Sequence, residues 1–386
     1  MIKTIMASTT EIDDIELAVD EIKSQINSEQ LAKNSIGIVF CHYEFIYSGV
    51  LKAICESLPF DTVGTMTITQ AVNNVVDEFM FTVTVLTSDT VSFTTALTGS
   101  LTGGGSAVIE EAYKAASADG RRPSLIIPFV PYIDGVPTDE YVDVMTRVSC
   151  DVPCYGTVAL FDIEAETESS VFLNGETYSD SMVMILLYSD IEPRFYRATI
   201  SPEKILDKPA IITKSEKNVI MEINGRPAVK YFEDLGIVDA GQKHYVMASL
   251  PFMLDYGDGT PRVSKVFVGQ TPEKYIVCAG IVPEGSSIYV GVFDKEDILY
   301  TTGNAVDDML LSDFGEASCM VCFSCVARSM SLGVDSMAEL DIVMEKIGDK
   351  LPFVMACSGG EICPTQVTDS AAINRFHNNI FMICVI

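Results

Sequence analysis

Basic residues are scarce. The 386-residue chain holds 25 lysines and arginines against 54 acidic residues, a formal net charge of −29. That balance excludes binding to nucleic acid and to anionic membrane surfaces, because both are polyanions. Only one basic pair is adjacent, Arg121-Arg122. The acidity reads as a solvated surface that keeps an apolar chain in solution. Tryptophan is absent, and histidine occurs three times, so chemistry resting on imidazole has only His42, His244 and His377. No apolar run reaches the length that spans a bilayer, so membrane insertion is excluded; the longest, near residues 181–188, suits a fully buried strand. The N-terminal stretch turns acidic at Glu11 and lacks the apolar core of a secretory signal. Eleven cysteines make an odd count, and several sit inside apolar runs. A reduced, cytoplasmic protein fits that usage better than a disulfide scaffold.

What is present is repetition. An opening strand over residues 2–6 leads to an amphipathic helix, with Thr9 or Thr10 placed to cap it. A unit then begins with a strand over 36–40. Its helix carries Leu51, Ile54, Cys55 and Leu58 at i, i+3, i+4 and i+7, and a later strand ends at Asp89. A second unit begins at 124–129. Its helix, with Thr138 as the expected cap, carries Tyr141, Val144, Met145 and Val148, and its last strand ends at Asp190. A third begins at 319–324, carries Leu340, Val343, Met344 and Ile347, and ends with the chain. Residues 199–317 differ: an Asn224-Gly225 turn, a short helix near 227–235 and a strand meander. The predicted fold is α/β (α+β mixed), with repeated strand–helix–strand–strand layers packed together and a β-meander in the second half. The expected domains are 1–200, holding two units, and 201–386, holding the meander and the third, with residues 201–209 as linker.

Three motifs suggest chemistry and do not sustain it. Gly99, Gly104 and Ser106 have phosphate-loop spacing, but Gly105 stands where the lysine is needed, so a flexible glycine segment before a helix is the better reading. The run around Asp255, Asp258 and Gly259 begins like a calcium loop, yet Val266 occupies the twelfth position; Asp258-Gly259 reads as a hairpin turn. Cys319, Cys322 and Cys325 form C-x2-C-x2-C, a spacing known from iron–sulfur proteins. On a strand, however, Cys322 faces away from the other two, and Cys319 and Cys325 lie roughly 20 Å apart. No metal and no cofactor is expected. Cys319 and Cys322 read as core.

Cys325 sits where the strand gives way to a loop, beside Ser324 and three residues before Arg328. Ligands bind at such strand ends in α/β layers. Loops of the same unit bring Gly360-Glu361 and His377-Asn378. Three readings stay open. In a binding site, Arg328 grips a carboxylate and Glu361 an amino group. In a thiol enzyme, Cys325 is the nucleophile and His377 its base. In a structural network, Arg328 pairs with Glu361 and His377 bonds backbone.

The stretches FSCVARSMSLG (323–333), ACSGGEICP (356–364) and RFHNNIFMICVI (375–386) resemble the end of a FIST C domain. NVIMEINGRPAVKYFEDLG (218–236) resembles its opening, and GIVFCHYEF, PFDTVGT, PCYGTVALFD and NGETYSDSMVMILL resemble the FIST N domain. The resemblance implies a non-catalytic sensory protein of signal transduction that binds a small polar ligand, with amino acids suggested, and signals through a partner protein in trans. Carried over motif by motif, it implies Ser324, Cys325, Arg328, Gly360, Glu361, His377 and Asn378 as ligand-binding residues. The family's glycine before the arginine is Ala327 here, and its tyrosine before Gly-Glu is Gly359. A thiol enzyme and a ligand-free interaction scaffold are the alternatives.

Overall fold

The structure is a computed structural model that describes all residues except 163–164, 191, 237–250, 313–316 and 369–370. His244 lies outside the described residues.

The first unit runs β1 (Lys3–Thr9), α1 (Ile15–Gln25), β2 (Asn34–Cys41), α2 (Glu44–Tyr47), α3 (Val50–Ser57), β3 (Asp61–Met66), a hairpin of β4 (Gln70–Val72) and β5 (Val75–Asp77), then β6 (Phe81–Ser88). The second runs β7 (Ser92–Leu97), α4 (Gly105–Ala116), β8 (Leu125–Val130), α5 (Thr138–Ser149), β9 (Gly156–Val158), a hairpin of β10 (Val171–Leu173) and β11 (Glu176–Tyr178), then β12 (Val183–Tyr188). The third opens with β13 (Arg194–Ala198) and is interrupted by an inserted sheet. That insert comprises β14 (Ala210–Glu216), β15 (Val219–Ile223), β16 (Arg226–Pro227), α6 (Ala228–Asp234), β17 (Phe252–Asp255), β18 (Val263–Lys265), β19 (Phe267–Gln270), β20 (Ile276–Cys278) and β21 (Ser287–Val290). The third unit then resumes with α7 (Lys295–Leu311), β22 (Met320–Cys325), α8 (Val326–Leu332), α9 (Ala338–Ile347), β23 (Phe353–Ser358), a hairpin of β24 (Glu361–Val367) and β25 (Ala372–His377), and β26 (Phe381–Val385).

The repeat is therefore longer than its sequence signal. Each unit also owns a preceding strand and helix: β1 and α1, β7 and α4, β13 and α7. The α+β class holds. Two expected caps do not. Asp14 caps α1 by accepting from Leu17 N, because Glu11 binds the amides of Asp13 and Asp14 and delays the first helical turn past Thr9 and Thr10. Thr138 is the first helical residue of α5, and Pro137 takes the cap position without a side-chain bond.

Each unit keeps four strands and sends its hairpin to another unit's sheet. The strand orders are β1-β6-β2-β3-β10-β11 in sheet one, β7-β12-β8-β9-β24-β25 in sheet two and β13-β26-β22-β23-β4-β5 in sheet three. Unit one gives its hairpin to sheet three, unit three to sheet two and unit two to sheet one. The exchange closes a ring.

Strand alternation then builds two kinds of core. In β2, Ile36, Ile38 and Phe40 face a central core shared by all three sheets, while Val39 and Cys41 face α1 and α3. Phe129 and Phe323 hold the same place in β8 and β22. Their rings meet that of Phe40 at centroid distances of 6.1 and 5.7 Å, edge to face. Tyr155 joins at 5.4 Å from Phe323 and donates its hydroxyl to Val321 O at 2.7 Å. Each sheet's other face is covered by its own two main helices, and the incoming hairpin adds to that core: Phe172 to the first, Ile362 and Phe376 to the second, Ala71 to the third. The cysteine run follows the same alternation. Cys319 lies in the central core and Cys322 on the helix side of sheet three.

Candidate functional site

The seven predicted residues are all buried, and the structure divides them between two clusters. Alternation along β22 is the cause. Phe323 faces the central core, so Ser324 turns toward the helices and Cys325 turns back to the inner side.

On the helix side, Ser324 and Arg328 converge on Glu339, the second residue of α9. Arg328 donates from Nε and Nη2 to Glu339 Oε1, at 2.8 and 2.7 Å. Nη2 also reaches Thr302 Oγ1 at 2.7 Å and Ile298 O at 3.2 Å on α7. The hydroxyls of Ser324 and Thr302 donate to the Glu339 carboxylate. The Phe293 ring lies 5.0 Å from the guanidinium. Arg328 is 0% exposed and Glu339 1%. This is a buried ion pair ringed by hydroxyls, joining α7, α8 and α9 to the end of β22. Arg328 pairs with Glu339 rather than with Glu361 through Nε and Nη2, while its Nη1 is buried without a hydrogen bond of good geometry.

On the inner side lie Cys325, Glu361 and His377; Asn378 follows on the side of Phe376 and the inserted sheet. The chain reaches them by crossing from β23 in sheet three to β24 in sheet two within two residues. That crossing is held by Ser358, whose hydroxyl donates to Gly360 O at 2.8 Å and accepts from Gly360 N and from Thr157. Gly360 has φ of 150°, and a Cβ there would stand 2.5 Å from the Phe376 ring, so only glycine fits. Glu361 then pairs directly opposite His377 across the hairpin and opposite Thr157 on the other side. Directly opposed residues share a face, which places Glu361 and His377 together. Asn378 follows, and its amide donates to Ser264 O of β18 at 2.9 Å. The inserted sheet is also pinned here by a buried pair: Lys265 Nζ lies 2.7 Å from Asp139 of α5 and donates to Phe376 O at 2.9 Å.

Several polar atoms in and beside the inner cluster are buried without a hydrogen bond of good geometry: both oxygens of Glu361, both ring nitrogens of His377, and, toward the inserted sheet, Oδ1 of Asn378 and Oγ of Ser264. Burial raises the Glu361 carboxyl well above the usual carboxylate range, although the nearby Ser358 hydroxyl and Cys325 thiol favour its charged form. Burial lowers the His377 imidazole well below its usual range, helped by the positive charges of Arg197 and Lys265. The cluster thus presents a carboxyl and an imidazole whose burial disfavours the charged form of each. The Cys325 thiol is pushed well up by burial and then by Glu361. A raised thiol and a lowered imidazole both work against activation of Cys325 as a nucleophile. Iodoacetamide near neutral pH is therefore expected to label Cys150, the one exposed cysteine of the eleven, and to leave Cys325 unlabelled until the protein unfolds. Mass spectrometry of tryptic peptides checks this, and fast labelling of Cys325 in the native state would overturn it.

The two shifted groups pull stability in opposite directions with pH. The native Glu361 carboxyl holds its proton where the unfolded one has lost it, so its contribution is full below about pH 4.5 and declines as pH rises toward the raised native value. His377 stays neutral where the unfolded imidazole is charged, so it destabilises as pH falls below about 6.5. Glu361→Gln removes only the first effect. It is expected to raise the urea midpoint more at pH 8 than at pH 4.5; an equal change at both pH values would place Glu361 in a solvated site.

The open cavities lie elsewhere. One of about 470 Å³ surrounds Arg121, Arg122 and Tyr188, and one of about 570 Å³ surrounds Arg147, Cys150 and Arg375. A narrower one of about 90 Å³ separates α5 from the inserted sheet, and Phe376, the neighbour of His377, lines it.

Comparison with protein families matches residues 35–226 to the FIST N domain and 228–364 to the FIST C domain. The chain belongs to the FIST family. FIST domains are associated with sensory signal transduction. No curated protein matches the chain. The FIST boundary at 226–228 falls inside the inserted sheet, between β16 and α6, and the FIST C match ends at Pro364, within β24. Among the described residues, no helix is long and apolar enough to cross a membrane. Reading the sequence missed Glu339, Ser264 and the Lys265–Asp139 pair. The signal for Glu339 was present in principle: a carboxylate on the apolar face of a helix, one residue before Leu340, needs a buried partner.

Proposed function

We propose that this FIST protein is a cytoplasmic sensor that binds a small polar ligand, an amino acid or another small carboxylate, and does not transform it. The observation that carries this reading is the inner cluster and its border, where Glu361, His377 and Asn378 keep buried polar atoms without a hydrogen bond of good geometry. Each such group costs about 1–3 kcal/mol, and native proteins hold them where a ligand, water or ion completes the network. A molecule with both donors and acceptors suits a carboxyl, an imidazole and an amide oxygen. The cluster also lies where an exchanged hairpin, the end of sheet three and the inserted sheet meet. Occupancy there would change how these parts pack, and a partner protein in trans would read the change. The Arg328–Glu339 pair serves as the support beneath it.

The test is a thermal-shift and calorimetric screen of amino acids and small organic acids against the full chain. A true ligand at a hundred times its Kd stabilises by about 2.7 kcal/mol. Glu361→Leu is expected to fold and to lose that shift. If nothing in the screen binds at millimolar concentration, the sensor reading falls and the interaction scaffold takes its place.

A further inference from the structure

Four cations stand around the inner cluster, and three of them are already neutralised. Arg328 holds Glu339, Lys265 holds Asp139, and Arg375 lies 3.0 Å from Asp258. The fourth is Arg197 on β13. Among the described residues, no carboxylate lies within 4.0 Å of it, in a chain where acidic residues outnumber basic ones two to one. It is also partly buried, so solvent does not fully stand in for the missing counter-charge.

Its direction follows from register. Arg197 pairs opposite Met382 of β26, a central-core residue, while its neighbour Tyr196 packs on the helix side of sheet three. Arg197 therefore points inward, toward sheet two. Nη2 donates to Thr365 O of β24 at 3.0 Å, and the guanidinium stands beside the Cys363 thiol. Cys363 is two residues from Glu361 on the same strand, so the two share a face. His377, opposite Glu361, also feels the Arg197 charge.

We infer that Arg197, and not Arg328, receives the anionic group of the ligand, with Glu361 and His377 at the other end of the same inner face. This rests on the sensor reading above. The separation along β24 from Glu361 to Cys363 is roughly 7 Å. The ligand class is accordingly a short carboxylate with a second hydrogen-bonding group about that far away. A guanidinium suits the carboxylate end because it offers paired donors in one plane.

The experiment uses the full chain with succinate, glutamate, glutamine, succinamate and inorganic phosphate as probes, read by calorimetry. The acids are expected to bind, and exchanging a carboxylate for a carboxamide to weaken binding roughly tenfold or more. Arg197→Gln should abolish that preference, and Arg197→Lys, which keeps the charge but not the paired donors, should weaken binding several-fold. Should Arg197→Gln fail to fold, Arg197→Lys decides. If Glu361→Leu loses binding while both Arg197 variants keep full affinity and the acid-over-amide preference, the Arg197 assignment is wrong and the sensor reading survives. If no probe binds the parent protein, both fall. Tightest binding of phosphate, lost in Arg197→Gln, would overturn the carboxylate class.

Discussion

Arg328→Met is expected to cost about 3–5 kcal/mol of folding stability, because it leaves Glu339 charged and unpaired in the interior. Glu339 accepts two bonds from the guanidinium and one each from Ser324 and Thr302. Removing the arginine keeps the two hydroxyl donors and deletes the compensating charge. The double variant Arg328→Met/Glu339→Leu should recover most of the loss, since apolar replacement of a whole buried pair is often neutral. Recovery should stop short of complete, because Ser324 and Thr302 then lack their acceptor. Urea denaturation of the parent, both single variants and the double variant closes the cycle. A single-variant loss under about 1 kcal/mol would mean that the pair is solvated or replaceable. Retained stability with lost ligand binding would return Arg328 to the ligand.

Phe323→Ala is expected to cost about 3–5 kcal/mol, the usual range for emptying a fully buried ring. The position matters as much as the size. Phe323 touches Phe40 of the first unit and Tyr155 of the second, so the cavity opens where all three units meet. The protein should still unfold in one transition, with the midpoint lowered for residues of every sheet together. Hydrogen exchange read peptide by peptide tests this. Protection lost only within residues 319–386 would show that the units are energetically separate.

The units were legible because their helices repeat the same apolar offsets and their central strands are apolar on both faces. Leu51, Tyr141 and Leu340 begin equivalent helix stripes, and Phe40, Phe129 and Phe323 end equivalent strands. The exchange of hairpins was not legible. The strands β4 and β10 are three residues long, too short for a period, and their partners lie far away in sequence: Ala71 opposite Met355, Phe172 opposite Gly64. Gly64 and Gly156 mark the strands that accept a hairpin, where a Cβ would stand 1.8 and 2.0 Å from the carbonyl oxygens of Val39 and Pro128. The repeated Gly-Thr in PFDTVGT and PCYGT was visible, but not the backbone it must admit.

The site was legible as a set of residues and not as an arrangement. Sequence spacing put Ser324 and Cys325 together, and the pleat of β22 separates them. Arg328 lies near the chemistry in sequence, yet its partner comes from a helix whose apolar stripe drew attention away from Glu339. Arg197 carried no motif. It stands out only once β13 is seen to pair with the end of the chain.

A ring of exchanged hairpins has no first member. Sheet one lacks two strands until residues 171–178 have been made. Sheet two waits for residues 361–377 to complete it. Sheet three, which needs residues 70–77, has no central strands until the third unit emerges. The first unit must therefore hold its hairpin in reserve through the synthesis of almost the whole polypeptide, with a strand edge open to the wrong partner. Such long-range pairing is slow to form. The surplus of negative charge, first read only as a guarantee of solubility, gains a second role in this setting. It keeps incomplete chains apart during the long interval in which none of their sheets is finished.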